Sequence, residues 1–97
     1  MRIISRKVLK DYWEKEPAVK SALQAWHAEA KKAEWSTPAD IKAEYGTASI
    51  LKDGRVVFNI GGNKYRLVVW INYAFFTVYV RFVGTHKEYD EIDAQTI

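Results

Sequence analysis

Cysteine is absent from the 97-residue sequence. A disulfide framework, a thiolate zinc site and a cysteine nucleophile are therefore excluded. No apolar run approaches the roughly 20 residues that a membrane-spanning helix needs, and no signal-peptide pattern precedes the first expected element. These absences lead us to expect a cytoplasmic protein that does not engage a membrane.

The sequence also offers little that could hold a nucleotide or a metal ion. The glycines at Gly61 and Gly62 match neither the P-loop nor the dinucleotide-binding pattern. His27 has no partner at a metal-ligand spacing, so we interpret it as structural. No cluster of Asp and Glu occurs on the expected strands, which argues against a two-metal nuclease. We therefore expect no metal and no cofactor.

The composition is that of a globular domain, with 48% hydrophobic and 28% charged residues. Four tryptophans, six tyrosines and four phenylalanines provide bulk for a core in a chain of this length. We expect one domain over residues 1–97. The formal charge of +3 is a mild bias toward anionic partners and proves little alone.

Helices are expected in the first half of the chain, where apolar residues recur at helical spacing. A short strand at residues 2–4 precedes a helix that runs from an N-cap at Ser5 to about residue 15. A second helix starts at Pro17 and reaches about residue 33. A third starts at Thr37-Pro38 and ends at Gly46. We assign Trp13 and Trp26, which lie on the apolar stripes, to the core.

After Gly46 the apolar period changes from about 3.6 to 2. Residues 55–60, 64–73 and 76–84 are rich in β-branched and aromatic side chains and predict three strands. Gly61-Gly62 favours a tight hairpin turn. Thr85 and Glu88 have capping-box spacing, which predicts a short C-terminal helix. The predicted class is α+β, with helices packed on a small antiparallel meander.

Alternation divides the strand residues between two faces. The first is apolar and should pack on the helices; it contains Tyr65, Leu67, Val69, Ile71, Phe76, Val78, Val80 and Phe82. A two-residue hairpin loop would place Asn59 opposite Lys64, and an even second loop would put Arg81 beside Val68. The second face would then present one open group of polar residues: Asn59, Lys64, Arg66, Tyr79 and Arg81.

Such a basic, aromatic-bearing face suits single-stranded RNA, because cations meet phosphates and aromatic rings stack on bases. The alternative is that these are ordinary solvated strand residues. His86 and Tyr89, three apart at the start of the C-terminal helix, should face the same way just beyond the strand with Arg81. An imidazole, a phenol and a nearby cation could transfer protons and stabilise charge in phosphodiester cleavage. A capped surface helix with a solvated histidine is the alternative there.

Two segments resemble the signatures of a known family. Residues 58–67 (FNIGGNKYRL) resemble the hairpin signature of the HigB toxins, which are RelE-like mRNA interferases. Residues 81–90 (RFVGTHKEYD) resemble their C-terminal signature, and residues 3–7 (IISRK) match their usual start. The resemblance spans nearly the whole chain, and two matched segments in the right order are stronger than either alone.

The resemblance implies a RelE-like fold and a ribosome-dependent endoribonuclease that cuts mRNA in the ribosomal A site. It also implies a cognate helix-turn-helix antitoxin of the HigA type. By position, Arg66 and Arg81 match the strand arginines at the scissile phosphate. His86 and Tyr89 match the C-terminal residues that transfer protons or stack.

The remaining expected RNA contacts are made by Asn59, Lys64, Tyr79 and Lys87. The lysine-rich segment of some relatives is sparse here, so its contribution is left open. With no carboxylate or Cys/His cluster beside the basic face, the expected chemistry is metal-independent attack by the RNA 2′-hydroxyl. The alternative function is a non-catalytic RNA- or ribosome-binding module that uses the same face. A purely protein-binding module would leave the arginines on that face unexplained.

Overall fold

A five-stranded sheet with helices on one face is the framework of the molecule. The computed structural model describes residues 1–97. The strands are β1 (Arg2–Ile4), β2 (Ser49–Ile50), β3 (Arg55–Ile60), β4 (Tyr65–Asn72) and β5 (Thr77–Thr85). Their spatial order is β1-β5-β4-β3-β2. The β3-β4-β5 meander is antiparallel as predicted, whereas β1 adds to β5 in parallel and β2 adds two residues to β3.

Four α-helices accompany the sheet. They are α1 (Arg6–Lys15), α2 (Lys20–Lys32), α3 (Pro38–Glu44) and α4 (His86–Tyr89). The α+β prediction, with N-terminal helices and a short C-terminal helix, is thereby confirmed. None of these helices is both long enough and apolar enough to cross a membrane.

The main core lies between the helices and one face of the sheet. Leu67, Val69 and Ile71 of β4 pack there against apolar residues of α1 and α2. Trp13 and Trp26 are buried in this core, as predicted. Burying these large side chains is the main stabilising contribution available to a domain of this size.

Several predicted boundaries are wrong by one to three residues. Ser5 occupies the N-cap position of α1, but its backbone is left-handed and its side chain makes no capping bond. Pro17 opens a 3₁₀ turn (Pro17–Val19) rather than α2 itself. The helix α3 ends at Glu44, two residues before Gly46. A second 3₁₀ turn (Tyr73–Phe75) separates β4 from β5, so β4 is shorter than predicted and β5 begins one residue later.

The predicted pairing of β3 with β4 is wrong by two residues. Ile60 pairs with Tyr65, and Asn59 lies opposite Arg66 rather than Lys64. The turn therefore contains four residues, of which Gly61, Gly62 and Asn63 all have positive φ. Because the loop length is still even, the division of β4 residues between the two faces is unchanged.

A β-bulge in β5 changes the predicted faces of that strand. Val69 pairs with Val80 while Val68 pairs with Phe82, so Arg81 is the additional residue between them. The bulge turns Val83 into the main core and moves Phe82 to the opposite face. The sequence analysis placed Phe82 on the helix-facing side of the sheet and Val83 on the other side, and both assignments are therefore wrong.

The second face of the sheet is not open along its whole length. Residues after α4 return across it, and Ala94 packs on Val57 and Val68. Gln95 binds the backbone of Lys52 through both its amide oxygen and its amide nitrogen, at 2.9 and 2.8 Å. The predicted open face is consequently divided, and its accessible polar residues lie at its ends and edge.

Candidate functional site at one end of the sheet

Four cationic or titratable residues meet where the β3–β4 turn lies beside the end of β5. Arg66 pairs with Gly84, two residues before His86. The backbone N–H of His86 donates to the carbonyl of Lys64 at 3.2 Å, which joins the turn to the start of α4. We call Lys64, Arg66, His86 and Lys87 the turn-end cluster. Of the residues predicted for the site, these are the ones that the fold brings together.

Arg66 has free donors in this cluster. Its Nη1 donates to the carbonyl of Asn63 at 2.9 Å and to that of Tyr65 at 3.3 Å, which holds the guanidinium at the turn. The guanidinium has five N–H donors in a planar fork. Its Nε and Nη2 make no hydrogen bond within the chain. A fixed arginine with unused donors is suited to an oxyanion.

Most of the predicted cations are free of carboxylates. Ion pairs within 4.0 Å occur only between Lys7 and Asp11 and between His86 and Asp90. Lys64, Arg66, Arg81 and Lys87 therefore have no intramolecular counter-ion, so their charge is available to a polyanion.

His86 provides the imidazole of the turn-end cluster. Its side chain is 58% exposed, and its Nδ1 lies 3.3 Å from Oδ2 of Asp90. At this distance the carboxylate can orient the ring, which leaves Nε2 directed away from Asp90 for proton exchange.

The position of α4 depends on a bond network around Glu88. The Thr85 hydroxyl accepts the N–H of Glu88 at 3.1 Å, and Oε1 of Glu88 accepts the N–H of Thr85 at 2.8 Å, which confirms the predicted capping box. The same oxygen accepts the hydroxyl of Tyr12 in α1 at 2.9 Å. These donors hold the pKa of Glu88 below its ordinary value. Burial and the neighbouring carboxylate raise the pKa of Tyr12 well above its ordinary range.

Gly84 permits this close packing. A Cβ built there would lie 2.6 Å from Cζ of Phe82 and 3.1 Å from Cβ of Glu88. Only glycine therefore fits between the Phe82 ring and α4 without a shift of either. The sequence analysis identified neither this role of Gly84 nor the hydrogen bond from Tyr12 to Glu88. The capping-box spacing of Thr85 and Glu88 was the one available signal.

Arg81 lies apart from the turn-end cluster. It is exposed at the bulge and lines a groove with Asp11, Tyr12 and Lys15 of α1. Asp11 in this groove is already bound by Lys7 at 2.6 Å. Arg81 thus flanks the cluster from the edge of β5, and the prediction that it shares an open face with Arg66 is wrong because the bulge displaces it.

Three other predicted site residues have structural contacts. The amide nitrogen of Asn59 donates to the carbonyl of Thr47 at 3.1 Å. Tyr79 stacks on Trp70 with ring centroids 4.9 Å apart. Trp70 is four residues along β4 from Arg66, so Tyr79 lies about 13 Å along the sheet from the turn-end cluster. Tyr89 is half-buried and packs on the apolar cluster of Val57, Val68 and Ala94, whereas His86 is exposed.

The fold and the site define a small α+β domain with unpaired cations and an imidazole at one end of a mostly antiparallel sheet, an arrangement suited to RNA. The family model described as HigB_toxin, RelE-like toxic component of a toxin-antitoxin system, matches residues 19–92. The chain therefore belongs to the HigB toxin family.

Individual relatives match over nearly the full chain. The chain is 38% identical over 92 residues to the mRNA interferase toxin HigB of Escherichia coli K12. The aligned residues cover 93% of this chain and 88% of the relative. The mRNA interferase HigB of Escherichia coli O157:H7 gives the same values. The mRNA interferase HigB of Escherichia coli O6:H1 is 27% identical over 94 residues, covering 95% of this chain and 91% of the relative.

Proposed function

We propose that this HigB-family toxin is an mRNA interferase that cleaves mRNA at the turn-end cluster by a metal-independent reaction. The observation that carries the proposal is the arginine fork of Arg66, which has free donors and no carboxylate partner and is at the same end of the sheet as the exposed imidazole of His86. As the toxic component of a toxin–antitoxin system, the protein has a cognate antitoxin.

The reaction uses the 2′-hydroxyl of the RNA as the nucleophile. A base removes its proton, the 2′-oxygen bonds to phosphorus, and the bond from phosphorus to the 5′-oxygen breaks as an acid protonates that oxygen. The products are a 2′,3′-cyclic phosphate and a 5′-hydroxyl. Arg66 donates to the non-bridging oxygens as their charge grows, and Arg81 supports the same strand of RNA from the bulge.

His86 exchanges one of the protons, because its imidazole is exposed and its Nδ1 lies 3.3 Å from Oδ2 of Asp90. Tyr89 is the second proton-transfer candidate, although its ring is half-buried. Lys64 and Lys87 bind flanking phosphates. Asn59 and Tyr79 contribute at the margins, through the amide oxygen and the stacked ring. No group of three or more His, Cys, Asp or Glu side chains is placed to hold a metal ion.

We further propose that cleavage requires the ribosome and that the antitoxin is a helix-turn-helix protein of the HigA type. The turn-end cluster lies on the surface and has few groups to fix RNA in line for attack by the 2′-hydroxyl. Positioning of reacting groups can supply about 7–11 kcal/mol of a barrier. The ribosomal A site would provide that positioning.

The test compares free mRNA with the same mRNA on a programmed 70S ribosome, with and without EDTA, followed by end-group analysis. Arg66→Ala should lower the cleavage rate by about 10²–10³. Lys20→Ala, which removes an equal charge from an exposed site on α2, is the matched control and should cleave like the wild type.

Three outcomes would contradict parts of the proposal. Equal rates on free and ribosome-bound mRNA would remove the ribosome requirement. A 3′-phosphate lacking any cyclic precursor, or strict dependence on magnesium in the chemical step, would refute the 2′-hydroxyl mechanism. Binding to ribosomes with no cleavage under any condition would favour the non-catalytic alternative.

A further inference from the structure

A second group of cations lies away from the turn-end cluster, in a groove between the N-terminal segment and α2. Arg2 of β1 and Arg6 at the start of α1 line one side of the groove. His27 and Lys31, one helical turn apart on α2, line the other. The proposed reaction does not use these residues, and they lie outside the hairpin and C-terminal signatures of the family.

The positive charge in this groove is not neutralised within the chain. None of Arg2, Arg6 and Lys31 has a carboxylate within 4.0 Å. Glu34 lines the adjoining groove with Arg2 but forms no ion pair with it. Burial together with the charges of Arg6 and Lys31 lowers the pKa of His27, as expected where cations converge.

Arg6 is held without losing its donors. Its guanidinium carbon lies 5.2 Å from the centroid of the Trp13 ring. A cation–π contact does not use the N–H groups as hydrogen-bond donors, and the Arg6 side chain makes no hydrogen bond within the chain. The groove therefore contains an arginine that is positioned by its neighbour and is free to bind an oxyanion.

The groove is too far from the turn-end cluster to serve the same phosphate. Arg2 pairs with Thr77 of β5, whereas Arg66 pairs with Gly84. Seven residues of a strand span about 23 Å. Any anion bound here is accordingly distinct from the scissile phosphate.

We propose that the groove lined by Arg2, Arg6, His27 and Lys31 binds a backbone phosphate of RNA about 20 Å from the point of cleavage. The inference rests on the proposed function, which makes RNA the substrate. Three uncompensated cations along an open groove fit a polyanionic strand better than one small anion. The phosphate can belong to the mRNA or to ribosomal RNA, which present the same chemistry.

The test uses the double variant Arg6→Gln/Lys31→Gln. Its matched control is Lys10→Gln/Lys20→Gln, which removes the same charge from exposed positions outside the groove. Binding of each protein is measured against a single-stranded RNA oligonucleotide, against 70S ribosomes without mRNA, and against the cognate antitoxin, over a range of salt concentrations. Cleavage of mRNA on programmed ribosomes is followed in parallel.

We expect the groove variant to bind RNA about tenfold more weakly than its control, with a salt dependence that is shallower by about one to two counter-ions. The cleavage rate at saturating protein should stay at the control level. Weaker binding to the oligonucleotide identifies mRNA as the source of the phosphate. Weaker binding to empty ribosomes alone identifies ribosomal RNA as the source.

Unchanged binding to both RNAs overturns the proposal, and so does a loss confined to the antitoxin, which would make the groove a protein interface. Because Arg6→Gln could disturb its contact with Trp13, the variant Arg2→Gln/Lys31→Gln is measured as well, and it should show the same loss. If the wild type cleaves no mRNA but these binding differences persist, the proposed reaction fails while the binding site stands.

Discussion

Replacing Tyr12 with phenylalanine removes a single hydroxyl from the network that holds α4. The ring is 8% exposed and keeps its packing in the core, so the change isolates the hydrogen bond to Oε1 of Glu88. A hydrogen bond to a charged acceptor contributes about 1.5–3 kcal/mol. Because Glu88 keeps its hydrogen bond from the N–H of Thr85, we expect the free energy of unfolding to fall by about 1.5 kcal/mol, near the lower end of this range.

The loss should depend on pH, because the pKa of Glu88 is lower in the folded chain than its ordinary value of 4.5. A lowered pKa means that the unfolded chain binds the proton more tightly, so this stabilisation is full above the unfolded pKa. It disappears as the pH falls through the folded pKa. The difference between wild type and Tyr12→Phe should therefore be complete at pH 7 and shrink below about pH 4.

The assay is urea unfolding at pH 7 and at acidic pH, arranged as a double-mutant cycle with Glu88→Gln. Each kcal/mol lost should also lower Tm by about 4–8 °C in a domain of this length. Tyr79→Phe is the control, since its ring stacks on Trp70 and its hydroxyl makes no hydrogen bond within the chain. A coupling energy below about 0.3 kcal/mol, or a loss independent of pH, would refute the assigned bond.

Three further predictions concern β4 and β5. Leu67→Ala should cost about 2–5 kcal/mol of unfolding free energy in urea, because the side chain is fully buried; Arg66→Ala, one residue away on the other face, should cost less than about 1 kcal/mol. Gly84→Ala should cost about 1–3 kcal/mol, since the new methyl group meets the Phe82 ring; an unchanged Tm would show that the ring moves freely. Arg81→Ala should lower mRNA cleavage by about 10²-fold on ribosomes with its Tm unchanged; a drop in Tm matching that of Leu67→Ala would mean that the exposed bulge position is misassigned.

The apolar face of the sheet could be predicted because β4 alternates strictly over Tyr65, Leu67, Val69 and Ile71, and burial of one face determines which way a strand turns. The register of the β3–β4 hairpin could not be predicted from the sequence. Gly61-Gly62 suits a two-residue turn, but three successive residues with positive φ form a four-residue turn instead. Both turns satisfy the same local preferences, and only tertiary packing distinguishes them.

The bulge at Arg81 had no local signal. The strand needs both Val80 and Val83 in the core, three residues apart, and an unbroken strand cannot direct them to one face. This is why Arg66 and Arg81, correctly singled out as strand arginines, are not on one open face. The returning segment was equally hidden, because Ile92 and Ala94 are isolated apolar residues without a period.

The parallel pairing of β1 with β5 has a consequence for synthesis of the toxin. Because Arg2 pairs with Thr77, β1 can join the sheet only after most of the chain has been synthesised. The helix α1 rests on the same late strand, and α4 follows directly after it. Closing so long a loop is slow compared with local helix formation. A nascent chain that ends before β5 contains the residues of α1 to α3 and of the β3–β4 hairpin but neither Arg81 nor His86, so it lacks two of the residues proposed for cleavage.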